Sequence, residues 1–226
     1  SLDTLGALMQ PQIDSRHVTQ PHSMIATQLA DRGVSIVPNA IPSELGMALW
    51  REVTELDDAQ FQAAKIGRQR LEQHNRFTRT DSICWIHGTS QPCIAWLAWT
   101  ESLRQTLNRE LFMGLFSFES HYAHYRPGNF YKRHLDAFRG EANRLVSVVL
   151  YLNPGWQPDD GGELVLYPRD GESHGPIKVT PSFRTLVCFL SEEFPHEVLP
   201  AKRDRYSIAG WFRVNTSTAS RVDPPR

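Results

Sequence analysis

From about residue 114 onward the chain breaks into short segments rich in Val, Leu, Tyr and Phe, at residues 116–125, 144–153, 163–167, 184–190 and 205–214. Between them lie Arg126-Pro127-Gly128-Asn129, Asn153-Pro154-Gly155, Asp159-Asp160-Gly161-Gly162 and Arg169-Asp170-Gly171. These carry the residue types that fix φ or tolerate positive φ, so each marks a turn. Many short strands with turn chemistry between them predict an antiparallel sandwich or barrel. The longest near-continuous apolar run, residues 145–152, is interrupted by Ser147 and is too short to span a bilayer. It predicts a buried strand.

Upstream, the apolar period lengthens to that of helices. Residues 1–22 are polar, with Pro11 and Pro21, and read as an irregular arm. Ser23 is the expected N-cap of a helix carrying Met24, Ile25 and Leu29 and ending at Gly33. Residues 34–37 then alternate as a short strand. Pro42-Ser43-Glu44 opens a second helix carrying Leu45, Leu49, Val53 and Leu56, and Pro92 a third with Ile94, Leu97, Leu103, Leu107 and Leu111 at helical spacing. Trp96 and Trp99 in that helix read as packing residues. The expected fold class is therefore α+β: a double-stranded β-helix (jelly roll) core over residues 114–214, buttressed by N-terminal helices over residues 23–113. Residues 23–226 form one domain, as the 226-residue, 25.8 kDa size suggests.

The net charge of −1 supplies no field for nucleic acid or an anionic membrane. No membrane partner is expected. Cys84, Cys93 and Cys188 show neither zinc spacing nor a CxxC pair. Free thiols and the lack of a signal-peptide pattern in the first residues make a cytoplasmic location the expectation.

Within the strand region, His134 and Asp136 stand two apart, His196 follows much later, and Arg205 lies a strand's length beyond it. On extended backbone, side chains two apart share a face, so His134 and Asp136 can reach one ion. Two imidazoles and a carboxylate leave three positions open on an octahedral metal, the pattern of non-haem Fe(II) oxygenases. An arginine beside such a centre can hold an anionic co-reactant bidentately. Arg203, in even spacing with Arg205, can present itself from the same strand face. The blander reading leaves His134 a surface residue after Lys132-Arg133 and His196 a satisfied histidine beside Pro195.

Six strings in one order extend the pattern: Tyr125-Arg126-Pro127-Gly128-Asn129, Tyr131-Lys132-Arg133-His134-Leu135-Asp136, Tyr151-Leu152-Asn153-Pro154-Gly155-Trp156, Gly161-Gly162-Glu163-Leu164, Pro195-His196-Glu197-Val198 and Arg205-Tyr206-Ser207-Ile208-Ala209-Gly210-Trp211. From about Gly33 to Trp211 the chain resembles the prolyl 4-hydroxylases of the hypoxia-inducible-factor type, especially their bacterial counterparts, within the 2-oxoglutarate/Fe(II)-dependent oxygenases. The resemblance implies His134, Asp136 and His196 as iron ligands. It implies Arg205 on the distal carboxylate of 2-oxoglutarate, helped by the Tyr151 hydroxyl, with Tyr125 nearby and Val149, Leu164 and Val198 as walls. Arg144, Trp211 and Tyr131 fall on the substrate side. Arg79-Thr80-Asp81-Ser82-Ile83-Cys84-Trp85-Ile86 resembles the end of the loop, about residues 66–81, that closes over a peptide substrate, with Arg79 and Asp81 as contacts. Arg79 and Asp81 also read as plain solvated charges, and Val149, Leu164, Val198 and Tyr151 as ordinary core.

The implied cofactors are Fe(II), 2-oxoglutarate and O2, with ascorbate as a candidate reductant. The implied reaction converts 2-oxoglutarate, O2 and a C–H group to succinate, CO2 and an alcohol. Asp136 stands where the superfamily's halogenases have a small residue, which favours hydroxylation. Nucleic-acid demethylases of the superfamily usually carry a second arginine where this chain has Trp211. The expected partner is a protein bearing a target proline, such as elongation factor Tu, and an oxygen-sensing role is part of the resemblance. A small-molecule hydroxylase and a non-catalytic metal-binding barrel are the alternatives.

Overall fold

The computed structural model describes residues 20–63, 78–136, 143–169 and 175–215. Most of the predicted arm, the predicted loop up to residue 77 and the latter part of the Arg169-Asp170-Gly171 turn lie outside the described residues.

Helix α1 (His22–Arg32) starts two residues earlier than a Ser23 cap predicts. Pro21 occupies the N-cap, and the Ser23 hydroxyl donates to Glu110 Oε1 at 2.8 Å, tying α1 to the third helix. The stop is as expected: Gly33 turns left-handed at φ 76° and its N–H bonds Leu29 O. Strand β1 (Val34–Val37) and helix α2 (Ser43–Glu55) follow. After the short strands β2 (Gln62–Ala63) and β3 (Ser82–Trp85) comes the 21-residue helix α3 (Gln91–Leu111). The Ser90 hydroxyl caps it by accepting from the Cys93 N–H, with Pro92 in the first turn. Leu103 and Leu107 are fully buried, but Ile94 is 46% exposed, so the first turn of the predicted stripe faces solvent. Trp96 is fully buried, donates its indole N–H to Ser120 Oγ at 3.1 Å and stacks on Trp99. Both act as packing residues.

The remaining strands are β4 (Leu115–Tyr125), β5 (Tyr131–His134), β6 (Arg144–Tyr151), β7 (Leu164–Leu166), β8 (Ile177–Val179), β9 (Leu186–Leu190), β10 (His196–Val198) and β11 (Arg205–Val214). The predicted strand at residues 184–190 loses its first residues. Arg184 has φ 68°, and its guanidinium bonds Ile41 O and Asn39 Oδ1 at the entrance to α2. Strands β2, β3, β5, β8 and β10 carry too few residues to show alternation.

All pairings are antiparallel. A seven-stranded sheet in the order β1-β9-β6-β11-β4-β3-β2 faces a four-stranded sheet in the order β5-β10-β7-β8. This is the jelly roll. Alternation gives the large sheet two working faces. Val146, Val148, Leu150, Ile208 and Phe212 pack against α1, α2 and α3, in one core with Leu49, Trp96, Leu103 and Leu107. Between the sheets lies a second core with Tyr125, Tyr151, Leu164, Leu166, Phe189 and Val198. That second layer opens at one end into the cavity described next.

Candidate active site

The cavity measures about 520 Å³ and is lined from both sheets. The small sheet supplies the histidines. Residues His134 on β5 and His196 on β10 are direct cross-strand partners, so the register alone sets their rings side by side, with centroids 4.2 Å apart. Asp136 lies in the turn after β5 rather than on the strand, but still delivers its carboxylate to both rings. Its Oδ1 is 3.3 Å from His134 Nε2 and 3.4 Å from His196 Nε2.

Each imidazole has its far nitrogen committed. His134 Nδ1 lies 2.8 Å from Lys132 O, and His196 Nδ1 3.0 Å from Phe194 O. A carbonyl only accepts, so each Nδ1 carries the proton and each Nε2 presents a lone pair inward when the ring is neutral. Burial, reinforced by His196, lowers the His134 pKa to about 4. Burial also disfavours charge on His196, but the Asp136 carboxylate more than reverses this and raises it. For Asp136, burial works against ionisation, and the two histidines outweigh it to hold the carboxyl well below the usual range. The donor atoms lie within 4.8 Å of one another, as one-ion ligands must. At about 2.1 Å from an octahedral ion, neighbouring ligand atoms are about 3 Å apart, so this set fits a divalent metal with little movement.

The large sheet supplies a buried cation. Arg205, at the start of β11, is 1% exposed, and its Nε donates to Gly162 O at 2.8 Å. Gly162, at φ +71°, is required there: an added Cβ would lie 3.2 Å from Arg205 Cδ and 3.0 Å from both Trp156 and Ala201. No carboxylate among the described residues pairs with this guanidinium, which has the Tyr125 ring 5.0 Å and the Tyr151 ring 5.1 Å from its Cζ. The Tyr151 hydroxyl is buried with no hydrogen-bond partner among the described residues. Burial pushes its pKa up to about 12, opposed by Arg205, and burial holds Tyr125 well above its ordinary value. A buried cation and an orphaned donor facing the same space call for an anion with hydrogen-bond acceptors. Val149, Leu164 and Val198 line the cavity as expected.

Arg203 does not compete. It precedes β11, reaches Pro154 O and Gly155 O at 3.3 Å and covers the Trp156 ring outside the cavity, so the even spacing that linked it to Arg205 has no common strand to act on.

Arg144, Arg79, Tyr131 and Trp211 also line the cavity, with Trp211 six residues along β11 from Arg205 and Arg144 paired with Arg213 beyond it. Arg79 and Asp81 form a bidentate pair at 2.7 and 2.8 Å, and Asp81 is 2% exposed, so they are no solvated loop charges. Asp81 is absent from the cavity wall; it holds Arg79 from behind. Burial disfavours the Arg79 charge, and Asp81 more than restores it. The Arg79 guanidinium lies 4.1 Å from the Tyr131 ring centre, and Tyr131 stacks on His134 at 3.5 Å. Trp211, expected on the substrate side, also donates its Nε1 to Asp136 Oδ2 at 2.9 Å. Sequence reasoning missed Ser147, whose hydroxyl donates to the same oxygen at 2.7 Å, and buried His121 against Trp85 and Trp211. The one available signal for Ser147 was a hydroxyl inside an apolar run.

A jelly roll whose open end brings together a His/Asp/His face and a buried arginine with no carboxylate partner among the described residues defines a non-haem metal oxygenase site. Comparison with known proteins gives its place. Residues 120–213 match the family model of the 2OG-Fe(II) oxygenase superfamily. The chain is 42% identical to the crystal structure of a Pseudomonas putida prolyl-4-hydroxylase, covering 86% of this chain and 99% of that one with a TM-score of 0.77. A Trichoplax adhaerens prolyl hydroxylase, in complex with a hypoxia-inducible-factor oxygen degradation domain peptide fragment, is 30% identical with a TM-score of 0.75, over 93% of this chain and 94% of that one. Human prolyl hydroxylase EGLN3 is 31% identical over 197 residues, 81% of this chain and 80% of that protein. Human Egl nine homolog 1 is 30% identical over 191 residues, and the match covers only 43% of its length. The chain belongs to the 2OG-Fe(II) oxygenase superfamily, in its prolyl-hydroxylase branch. The cofactors of that family are Fe(II), 2-oxoglutarate and O2, and the triad fits the first.

Proposed function

We propose that this chain is a 2-oxoglutarate- and Fe(II)-dependent dioxygenase that hydroxylates a prolyl residue within a polypeptide, with a translation factor such as elongation factor Tu as the target class. The observation that carries the reading is the pairing, in one cavity, of the metal-ligand face with the buried Arg205 and the unpartnered Tyr151 hydroxyl. His134, Asp136 and His196 would hold the iron. Arg205 and Tyr151 would take the distal carboxylate of 2-oxoglutarate, whose burial among Val149, Leu164 and Val198 would be costly without them. When bound, the iron supplies the oxidative chemistry that turns 2-oxoglutarate and O2 into succinate and CO2 and inserts one oxygen into a C–H bond. The protein orients both reactants and excludes water.

Substrate recognition falls to Arg144, Trp211, Tyr131 and Arg79, which line the same cavity. Protein substrates are favoured by the complex of the Trichoplax adhaerens relative with a peptide fragment. The three free cysteines suit a cytoplasmic setting.

The test is incubation with cell lysate, Fe(II) and 2-oxoglutarate, followed by a mass-spectrometric search for prolines that have gained one oxygen. Arg144→Ala should impair that hydroxylation several-fold while 2-oxoglutarate binding, titrated with Mn(II) in place of iron, stays nearly unchanged. A free amino acid or metabolite consumed faster than any polypeptide would overturn the peptidyl reading and leave the oxygenase intact.

A further inference from the structure

Asp136 offers two carboxylate oxygens, and the structure treats them differently. Oδ1 faces the Nε2 atoms of both histidines at 3.3 and 3.4 Å. Oδ2 faces the large sheet and accepts two hydrogen bonds, from Ser147 Oγ at 2.7 Å and from Trp211 Nε1 at 2.9 Å. The two donors are direct cross-strand partners on β6 and β11, so they share one face of the sheet and converge on one acceptor. Neither donor is free to wander. The Ser147 hydroxyl is also 2.8 Å from the Ser191 hydroxyl, and both serines are buried, at 1% and 0% exposure. The Trp211 indole is held by the Arg144 guanidinium 3.8 Å from its ring centre and by His121, whose ring lies 5.5 Å away. Arg144 is in turn bonded to Glu119.

A carboxylate in a turn, as Asp136 is, has a free χ2 rotation that would let both oxygens reach a metal. Bidentate attachment would occupy one of the three positions that a bidentate 2-oxo acid and O2 require together. Two donors on Oδ2 remove that freedom.

We propose that Ser147 and Trp211 form a clamp that holds Asp136 as a one-oxygen metal ligand through Oδ1, with Ser191 aiming the Ser147 hydroxyl. All three are positioning residues acting through Asp136. The inference rests on the metal-site reading of the triad and adds to it what fixes the carboxylate. It also gives Trp211 a role on the metal side of the cavity. Groups that orient a metal ligand from behind are worth 10- to 100-fold in metal affinity.

The experiment measures Mn(II) binding to the purified full chain by the loss of the free-ion electron paramagnetic resonance signal, with no turnover involved. Ser147→Ala and Trp211→Phe should each raise the Mn(II) dissociation constant about 10- to 100-fold. Ser147→Thr, which restores a hydroxyl, should recover most of the loss. Ser191→Ala should cost less than Ser147→Ala. Circular dichroism and thermal melting of the metal-free variants separate a lost clamp from a lost fold, and Trp211→Phe keeps an aromatic ring in place should Ser147→Ala prove unstable. If folded Ser147→Ala and Trp211→Phe both bind Mn(II) within about twofold of the parent, or more tightly, the clamp is wrong. Asp136→Ala in the same assay isolates the underlying reading: binding unchanged there would mean that the triad is not the metal site at all.

Discussion

The small sheet brings its chemistry to the cavity on strands of three and four residues, β10 and β5, with a shift in register between them. The large sheet does so on β11 and β4, of ten and eleven residues, paired in register along most of their length. The histidines on the small sheet are held by their own short hydrogen bonds to Lys132 O and Phe194 O rather than by a long ladder. On the large sheet, Arg205, Ser207, Ala209 and Trp211 follow one another at the two-residue period, beside Tyr125, Ala123 and His121 on β4 and Tyr151, Val149 and Ser147 on β6. The contrast separates two kinds of site. The candidate metal face is carried on short segments, whereas Arg205 is set into a long, registered sheet.

The sharpest way to test this division is to delete ligands on the small-sheet side. His134→Ala, Asp136→Ala or His196→Ala should abolish succinate formation, and Mn(II) should no longer raise the melting temperature, because an ion bound only by the folded state stabilises it by mass action. Undiminished succinate formation by Asp136→Ala would dissolve the division.

On the large-sheet side the loss should be in affinity instead. Arg205→Ala removes a buried cation from an anion's partner set, a change worth about 2–5 kcal/mol. That corresponds to about a 30- to several-thousand-fold rise in the 2-oxoglutarate concentration needed. Mn(II) binding without 2-oxoglutarate should be little altered. Arg203→Ala, outside the cavity on Trp156, should change the requirement by less than about threefold. Kinetics at varied 2-oxoglutarate settle the pair, and a reversed ranking would move the anion site to Arg203.

The same contrast explains what the sequence made legible. Long strands on the large sheet showed as apolar segments bounded by turns, and β11 was predicted residue for residue. The small sheet was read only through its ligand spacing, since strands such as β10 and β8 are too short for a period to appear. The structure brings His134, Asp136, His196 and Arg205 into one cavity; metal-ligand chemistry and spacing singled out the triad, whereas the choice of Arg205 over Arg203 rested on the family resemblance. Ser147 was not legible, because a serine in an apolar strand has no chemistry until the register sets it beside Trp211 and beneath Asp136. The Ser23 cap failed for a similar reason: the hydroxyl found a distant partner in Glu110, a contact that no local pattern encodes.

A further prediction concerns a buried group on the large sheet itself. His121, on β4, is 3% exposed, packs on Trp85 and Trp211, and has Nδ1 3.1 Å from Tyr122 O. Burial is the main cause that lowers its pKa from 6.5 to about 4; Arg79 and Arg144 add to the lowering, Asp81 and the Tyr122 carbonyl oppose it. The folded state therefore resists protonation at pH values where the unfolded chain accepts a proton. Stability from a neutral His121 is fully present above pH 6.5, and is lost as pH falls from there toward about 4. At about 1.4 kcal/mol per unit, the shift is worth roughly 3 kcal/mol at the acid end. Urea unfolding of the parent and His121→Phe at matched pH and metal content isolates this group, since any constant packing change cancels in the pH dependence. The parent should lose up to about 3 kcal/mol more than the variant between pH 7 and pH 4. If the two curves run parallel across that range, burial of His121 is not what disfavours its protonation in the folded state.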